Sequence, residues 1–191
     1  MTREQAVAFI STFYRMEVES WGNEFVMTES LRRCIGKVAG FLTGESRKRG
    51  LMLLGMIGNG KTTMVKVIAK LFSYLMAEDY IENEKCFETV SAKELSMLIS
   101  EDRGRYDEYK ECDKLIIDDL GTDAKIVTLY KIDYEPVKDI LMYRYSKRLL
   151  TVITSNLDPT MIKEHYGDER LTDRFREMYE IVEFEDESFR K

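Results

Sequence analysis

The sequence predicts an α/β fold: a five-stranded, mostly parallel sheet with helices on both faces. Three observations predict it. Short, continuous apolar runs recur along the chain, as in strands buried on both sides. Segments of helical periodicity alternate with them. Polar residues suited to chemistry follow directly after several of the runs, where ligands bind on such sheets.

The elements follow in order. Arg3 to Glu19 reads as a helix, with Val7, Ile10, Tyr14 and Val18 near one face, and Trp21–Gly22–Asn23 breaks it. Thr28 is an N-cap residue for a second helix that carries Leu31, Ile35, Val38, Ala39 and Leu42 and ends at Gly44. Leu51–Gly55 is the first strand, and Lys61 to Ala77 the helix after it. Phe87–Val90 is the next strand, and Ser91 with Glu94 has capping-box spacing for a helix through Leu95, Leu98 and Ile99. Lys114–Asp119 is a strand ending in carboxylates, and Glu135 to Leu149 is a helix with Pro136 in its first turn. Thr151–Asn156 is a strand, Pro159–Glu164 and Arg170–Met178 are short helices, and Ile181–Glu185 is the last strand.

Length and composition bound the function. The 191 residues suit one domain, divided here into an N-terminal helical extension (1–48) and a core (49–191). With 44% hydrophobic and 34% charged residues the chain is globular. The formal charge of −6 excludes a global basic field for nucleic acid but not a local patch. The longest apolar run, Leu51 to Gly58, is too short to cross a membrane. The opening MTREQAVAF has no secretory pattern, so a cytoplasmic protein is expected. Cys34, Cys86 and Cys112 are expected as reduced, buried thiols, and His165 is the sole histidine, which argues against Cys–His and Ser–His–Asp catalysis.

The chemistry starts at GMIGNGKT, Gly55 to Thr62, which fits G-x-x-x-x-G-K-[ST]. Glycines let successive backbone N–H groups converge on an anion, and the following helix adds its positive dipole end. Gly55, Gly58, Asn59, Gly60, Lys61, Thr62 and Thr63 are therefore expected to hold the phosphates of ATP, with Lys61 reaching the β- and γ-phosphates and Thr62 a Mg²⁺ ion. LIIDD places Asp118 to hold that Mg²⁺ and Asp119 to polarise the attacking water. Asn156, closing the next strand in TSN, can orient water without adding charge. Arg170 and Arg174 share one helix face, and a guanidinium offered to a neighbouring γ-phosphate accelerates transfer by about 10³–10⁵.

Together, GMIGNGKT, LIIDDLG, PVKDILMYRYSKRLLTVITSNL, HYGDERLTDRFREM and the terminal ESFRK resemble the AAA+ ATPases of the DnaC/IstB group, from about Leu51 to Arg190. Those are replicative helicase loaders and transposition helper ATPases. The resemblance implies a P-loop NTPase sheet of order 5-1-4-3-2; because Lys191 follows directly on the last strand, the C-terminal lid of larger AAA+ proteins is expected to be absent. It makes Lys61 and Thr62 the Walker A pair, Asp118 and Asp119 Walker B, and Asn156 sensor 1. It makes Arg174 an arginine finger acting on ATP in an adjacent subunit, and Arg190 a candidate sensor 2. Asp119 stands where many relatives have glutamate, one methylene longer. The implied function is ATP-dependent loading or remodelling of a replicative helicase on single-stranded DNA in replication, by a homo-oligomer. Its ATPase is expected to be slow alone and stimulated by assembly or DNA. The alternatives are an IstB-like helper of a transposase, a nucleotide-dependent binding module that barely hydrolyses, and a small-molecule kinase using Arg144, Arg170 and Arg174 as phosphate clamps. For single-stranded DNA the basic–aromatic stretch Arg103, Arg105, Tyr106, Lys110 is the first candidate, as a surface loop, and Arg47–Lys48–Arg49 the second.

Overall fold

A computed structural model describes residues 1–78, 86–167, 169–186 and 188. The chain runs α1 (Arg3–Ser20), α2 (Glu29–Leu42), β1 (Gly50–Gly55), α3 (Lys61–Ala77), β2 (Glu88–Ser91), α4 (Ala92–Glu101), α5 (Arg103–Glu111), β3 (Lys114–Leu120), β4 (Val127–Leu129), β5 (Ile132–Tyr134), α6 (Pro136–Lys147), β6 (Leu150–Ser155), α7 (Pro159–Tyr166), α8 (Glu169–Met178) and β7 (Tyr179–Phe184). Five strands form one parallel sheet in the order β2-β3-β6-β1-β7. Counting only those strands along the chain, this is the 5-1-4-3-2 order expected from the resemblance. The two remaining strands, β4 and β5, form a separate antiparallel hairpin that the sequence reading did not contain.

The continuous apolar runs are explained by two cores, one on each face. Successive side chains of a strand point to opposite faces. Leu51 and Leu53 of β1 therefore join Ile116, Val152 and Val182 under α1, α2 and α3. Met52 and Leu54 join Leu115, Ile117 and Ile153 under α4–α8. Each such side chain, fully buried, stabilises the fold by about 1.5–3 kcal/mol.

The first two helices are built into the first of these cores. Ala6, Ile10 and Tyr14 of α1 and Leu31, Ile35 and Val38 of α2 share it with the sheet and α3. The buried stripe of α1 runs Ala6, Ile10, Tyr14, Glu17, so the expected face turns: Val7 and Val18 are half-buried at its margin. Glu17 is held by Lys66, Lys70 and the Trp21 indole N–H. The Lys70 hydrogen bond, chiefly, holds its carboxyl below the usual range. Thr28 caps α2 and Ser91 caps α4, as their sequence positions predicted.

Two expectations are corrected. Arg103–Glu111 is a helix, started by the Asp102 side chain accepting from the Arg105 N–H at 2.9 Å. Among the thiols Cys34 is buried, its pKa pushed up to about 11 by that burial, but Cys86 is exposed. Among the described residues, no helix is long and apolar enough to cross a membrane.

Candidate functional site

The cleft lies beyond the carboxyl ends of β1, β3 and β6. Between β1 and α3 the chain turns through Gly55, Gly58 and Gly60 at φ of +147°, +84° and +101°. Gly60 is required twice over: its φ is left-handed, and a Cβ would sit 2.0 Å from the Tyr14 hydroxyl. That hydroxyl donates to the Gly60 carbonyl at 3.2 Å, so α1 braces the turn from behind. Asn59, wholly buried, donates from Nδ2 to the Phe184 carbonyl at 2.8 Å and pins the turn to β7. Its Oδ1 accepts from Lys61 Nζ at 3.1 Å, and the same ammonium donates to the carbonyls of Gly55 at 2.8 Å and Met56 at 2.7 Å. Lys61 is thus tethered inside the turn. Helix α3 has no side-chain cap and no acid in its first turn, which leaves its N-terminal N–H groups for an anion.

The carboxylates are placed by a bulge. Ile117 pairs with Ile153 but Leu120 pairs with Ser155, so β3 carries one extra residue at Asp118–Asp119. Asp119 takes φ +57° there. Its N–H donates to the Thr154 Oγ1 at 2.8 Å, and the Thr154 hydroxyl donates to Asp118 Oδ1 at 2.5 Å. The Thr62 hydroxyl donates to the same oxygen at 3.3 Å. Thr154, visible in the sequence only as the first letter of TSN, therefore orients Asp118 from inside the sheet. Asn156 follows the end of β6.

Gly58, Asn59, Gly60, Lys61, Thr62, Thr63, Asp119 and Asn156 line one cleft of about 1060 Å³. Its other wall comes from α1 and the segment after it, including Trp21, Asn23, Phe25 and Val26, a contribution the sequence reading missed. Asp118 and Thr62 present hard oxygen ligands close together. Among the described residues no group of three or more His, Cys, Asp or Glu side chains is arranged to hold a metal. The pair fits Mg²⁺, which takes one or two protein oxygens and fills its remaining positions with phosphate and water.

The arginines fall elsewhere. Arg174 on α8 lies outside the residues lining this cleft; its Nη1 is 2.7 Å from Met142 Sδ and its guanidinium sits 5.0 Å from the Tyr145 ring centre. Tyr145 in turn donates to Glu177 at 2.5 Å, which is the first cause of its raised pKa. Arg144 cannot clamp a phosphate, because it is fully buried between α6, β6 and the end of α5. It donates to Thr151 Oγ1 and to the carbonyls of Tyr109, Lys110, Cys112 and Leu150. Arg190 lies outside the described residues, and so does the side chain of Arg170.

The expected DNA loop is also corrected. Tyr106 is 1% exposed and donates its hydroxyl to the Pro136 carbonyl at 2.8 Å, so it has no face for a base. Arg105 is paired with Glu88 and Glu108 and packs on Tyr109, Arg103 pairs with Asp107, and Lys110 covers the Tyr143 ring. In the second candidate, Lys48 donates to the Arg176 carbonyl.

No family model matches the chain, and no curated protein matches it. Solved structures do match in three dimensions. The DnaC helicase loader superimposes with a TM-score of 0.65 at 20% identity, over 84% of this chain and 93% of that one. DnaI matches with a TM-score of 0.62 at 23% identity, over 84% of this chain and 87% of that one. The replication initiator DnaA bound to AMPPCP and single-stranded DNA matches with a TM-score of 0.59 at 20% identity, over 85% of this chain and 49% of that one. The chain therefore shares the fold of these helicase-loader and DnaA structures, and spans about half of DnaA.

Proposed function

We propose that this chain binds ATP with Mg²⁺, hydrolyses it, and uses the cycle to load or remodel a replicative helicase on single-stranded DNA. The observation that carries the reading is the convergence of Lys61, Thr62, Asp119 and Asn156 on one cleft at the carboxyl edge of the sheet, with Asp118 hydrogen-bonded to Thr62 beside it. The glycine turn and the N-terminus of α3 supply N–H donors for the phosphates, and Lys61 supplies the cation. Mg²⁺, bound between Thr62 and Asp118, would neutralise phosphate charge. Asp119 orients the attacking water and polarises it; the Asn156 amide steadies that water without adding charge. The fold likeness to DnaC, DnaI and AMPPCP-bound DnaA supports both the nucleotide and the replication setting.

Arg174 supports an assembled enzyme. It lies off its own cleft, packed on Tyr145, so its guanidinium is available to a neighbouring chain's γ-phosphate only across an interface. Arg174→Ala is expected to leave ATP binding near normal and to lower turnover by about 10³-fold or more. Mixing it with Lys61→Ala chains is expected to restore part of the activity, because mixed interfaces pair an intact cleft with an intact arginine. A mixture no faster than its components would show that Arg174 does not act between subunits. For the partner, ATP-dependent transfer of the host's replicative helicase onto a single-stranded circle is the expected result. Capture of a transposase with no helicase transfer would contradict the loader reading.

A further inference from the structure

With the tyrosines of α5 buried, another part of the fold carries the exposed aromatic–basic pairing that a single strand needs. The β4–β5 hairpin pairs Leu129 with Ile132, which leaves a two-residue turn of Tyr130 and Lys131. Both sit at left-handed φ, +51° and +67°. Such a turn favours Asn-Gly, and a bulky aromatic there is conformationally costly. Tyr130 is nevertheless 99% exposed, with no packing to offset that cost. Backbone strain of this kind clusters at ligand clamps, switch regions and active sites.

The rest of the hairpin is anchored. Val127, Leu129 and Tyr134 pack on the second core. Just upstream, Asp123 accepts from the Tyr166 hydroxyl at 2.8 Å and from the Gly121 N–H at 3.0 Å. Asp133, the acid nearest the tip, accepts from the Thr128 hydroxyl across the hairpin at 2.7 Å. The tip is thus a presented element, joined to the Asp118–Asp119 bulge by a short, fastened segment.

We infer that the β4–β5 tip is a single-stranded DNA contact, with Tyr130 stacking on a base and Lys131 meeting the adjacent phosphate, and the exposed Ile132 beside them. Base stacking on an exposed aromatic needs no sequence match, because every base has a π-face, and a lysine beside it adds the phosphate contact. The chain's net charge of −6 disfavours the broad phosphate footprint of a duplex binder. This site rests on the single-strand part of the function proposed above. It also gives that function a route, since the tip lies on the segment that leads directly from the Asp118–Asp119 bulge into β4 and β5.

The test replaces the turn by the pair it conformationally prefers, Tyr130→Asn with Lys131→Gly. Anisotropy titrations of a labelled oligo-dT at low salt with ATP, thermal unfolding and ATP binding are measured on both proteins. The expected result is affinity weakened about tenfold or more, with the unfolding midpoint equal or higher and ATP binding unchanged. A strand carrying 5-iododeoxyuridine is expected to crosslink within the hairpin peptide. Unchanged strand affinity in the double variant would overturn the assignment while leaving the proposed function standing. Wild-type protein that binds no single strand would overturn both, and a duplex competing as well as a single strand would overturn the choice of ligand.

Discussion

Lys61→Ala is expected to lower ATP turnover by at least about 100-fold and to weaken nucleotide affinity by about ten- to a hundredfold. A charge-assisted hydrogen bond to phosphate stabilises by about 1.5–3 kcal/mol, and a preorganised donor aimed at developing charge contributes about 2.7–4 kcal/mol in the transition state. The structure gives a reason to expect the upper end. The ammonium is already desolvated among the carbonyls of Gly55 and Met56 and the Asn59 amide oxygen. Its removal takes the cation from the phosphates and the brace from the turn together. A variant that turns over ATP within a few-fold of wild type would show that the triphosphate lies elsewhere.

Arg144→Ala is expected to destabilise the fold by about 3–5 kcal/mol, because it leaves buried partners of a cation unsatisfied and opens a cavity. At about 2–4 °C per kcal/mol for a chain of this size, the unfolding midpoint falls by roughly 6–20 °C. Burial chiefly presses the guanidinium pKa down, yet its donors are spent on four carbonyls and the Thr151 hydroxyl, tying α5, α6 and β6 together. Arg144→Lys is expected to recover little, since one ammonium cannot reproduce the planar fork. Thermal unfolding within about 2 °C of wild type for the alanine variant would contradict this role.

These two residues show what was legible in the sequence. Lys61 was readable because its chemistry is written in contiguous spacing: glycines, a lysine and a threonine between an apolar strand and a helix. The five strands and the position of Asp118–Asp119 were readable for the same reason, with strands announced by apolar runs and carboxylates following one of them; the order of the strands in the sheet came only from the family resemblance. Arg144 was not readable, because a buried arginine looks like a surface one until its carbonyl partners are brought together from the end of α5, its cap residue Cys112 and β6. Helix α5 was obscured by Gly104 and a polar stretch in which only Tyr106 and Tyr109 face inward. The β4–β5 hairpin has three-residue strands and no Asn-Gly, too little for a period-two pattern. The cleft wall formed by Trp21 to Val26 depends on α1 docking against α3, which periodicity shows as a buried stripe without naming its partner.

The central claim, one triphosphate held by the β1–α3 turn with a divalent ion opposite Asp118, is tested most directly by calorimetric titration of Mg·ATP. Trp21 is the chain's single tryptophan and lines the same cleft, so its fluorescence is followed in parallel. The expected result is one nucleotide per chain, a matching change in Trp21 emission, weaker binding when EDTA removes Mg²⁺, and strongly reduced heat for Lys61→Ala. Absence of heat and of any emission change at millimolar Mg·ATP, or binding identical in Lys61→Ala, would contradict it.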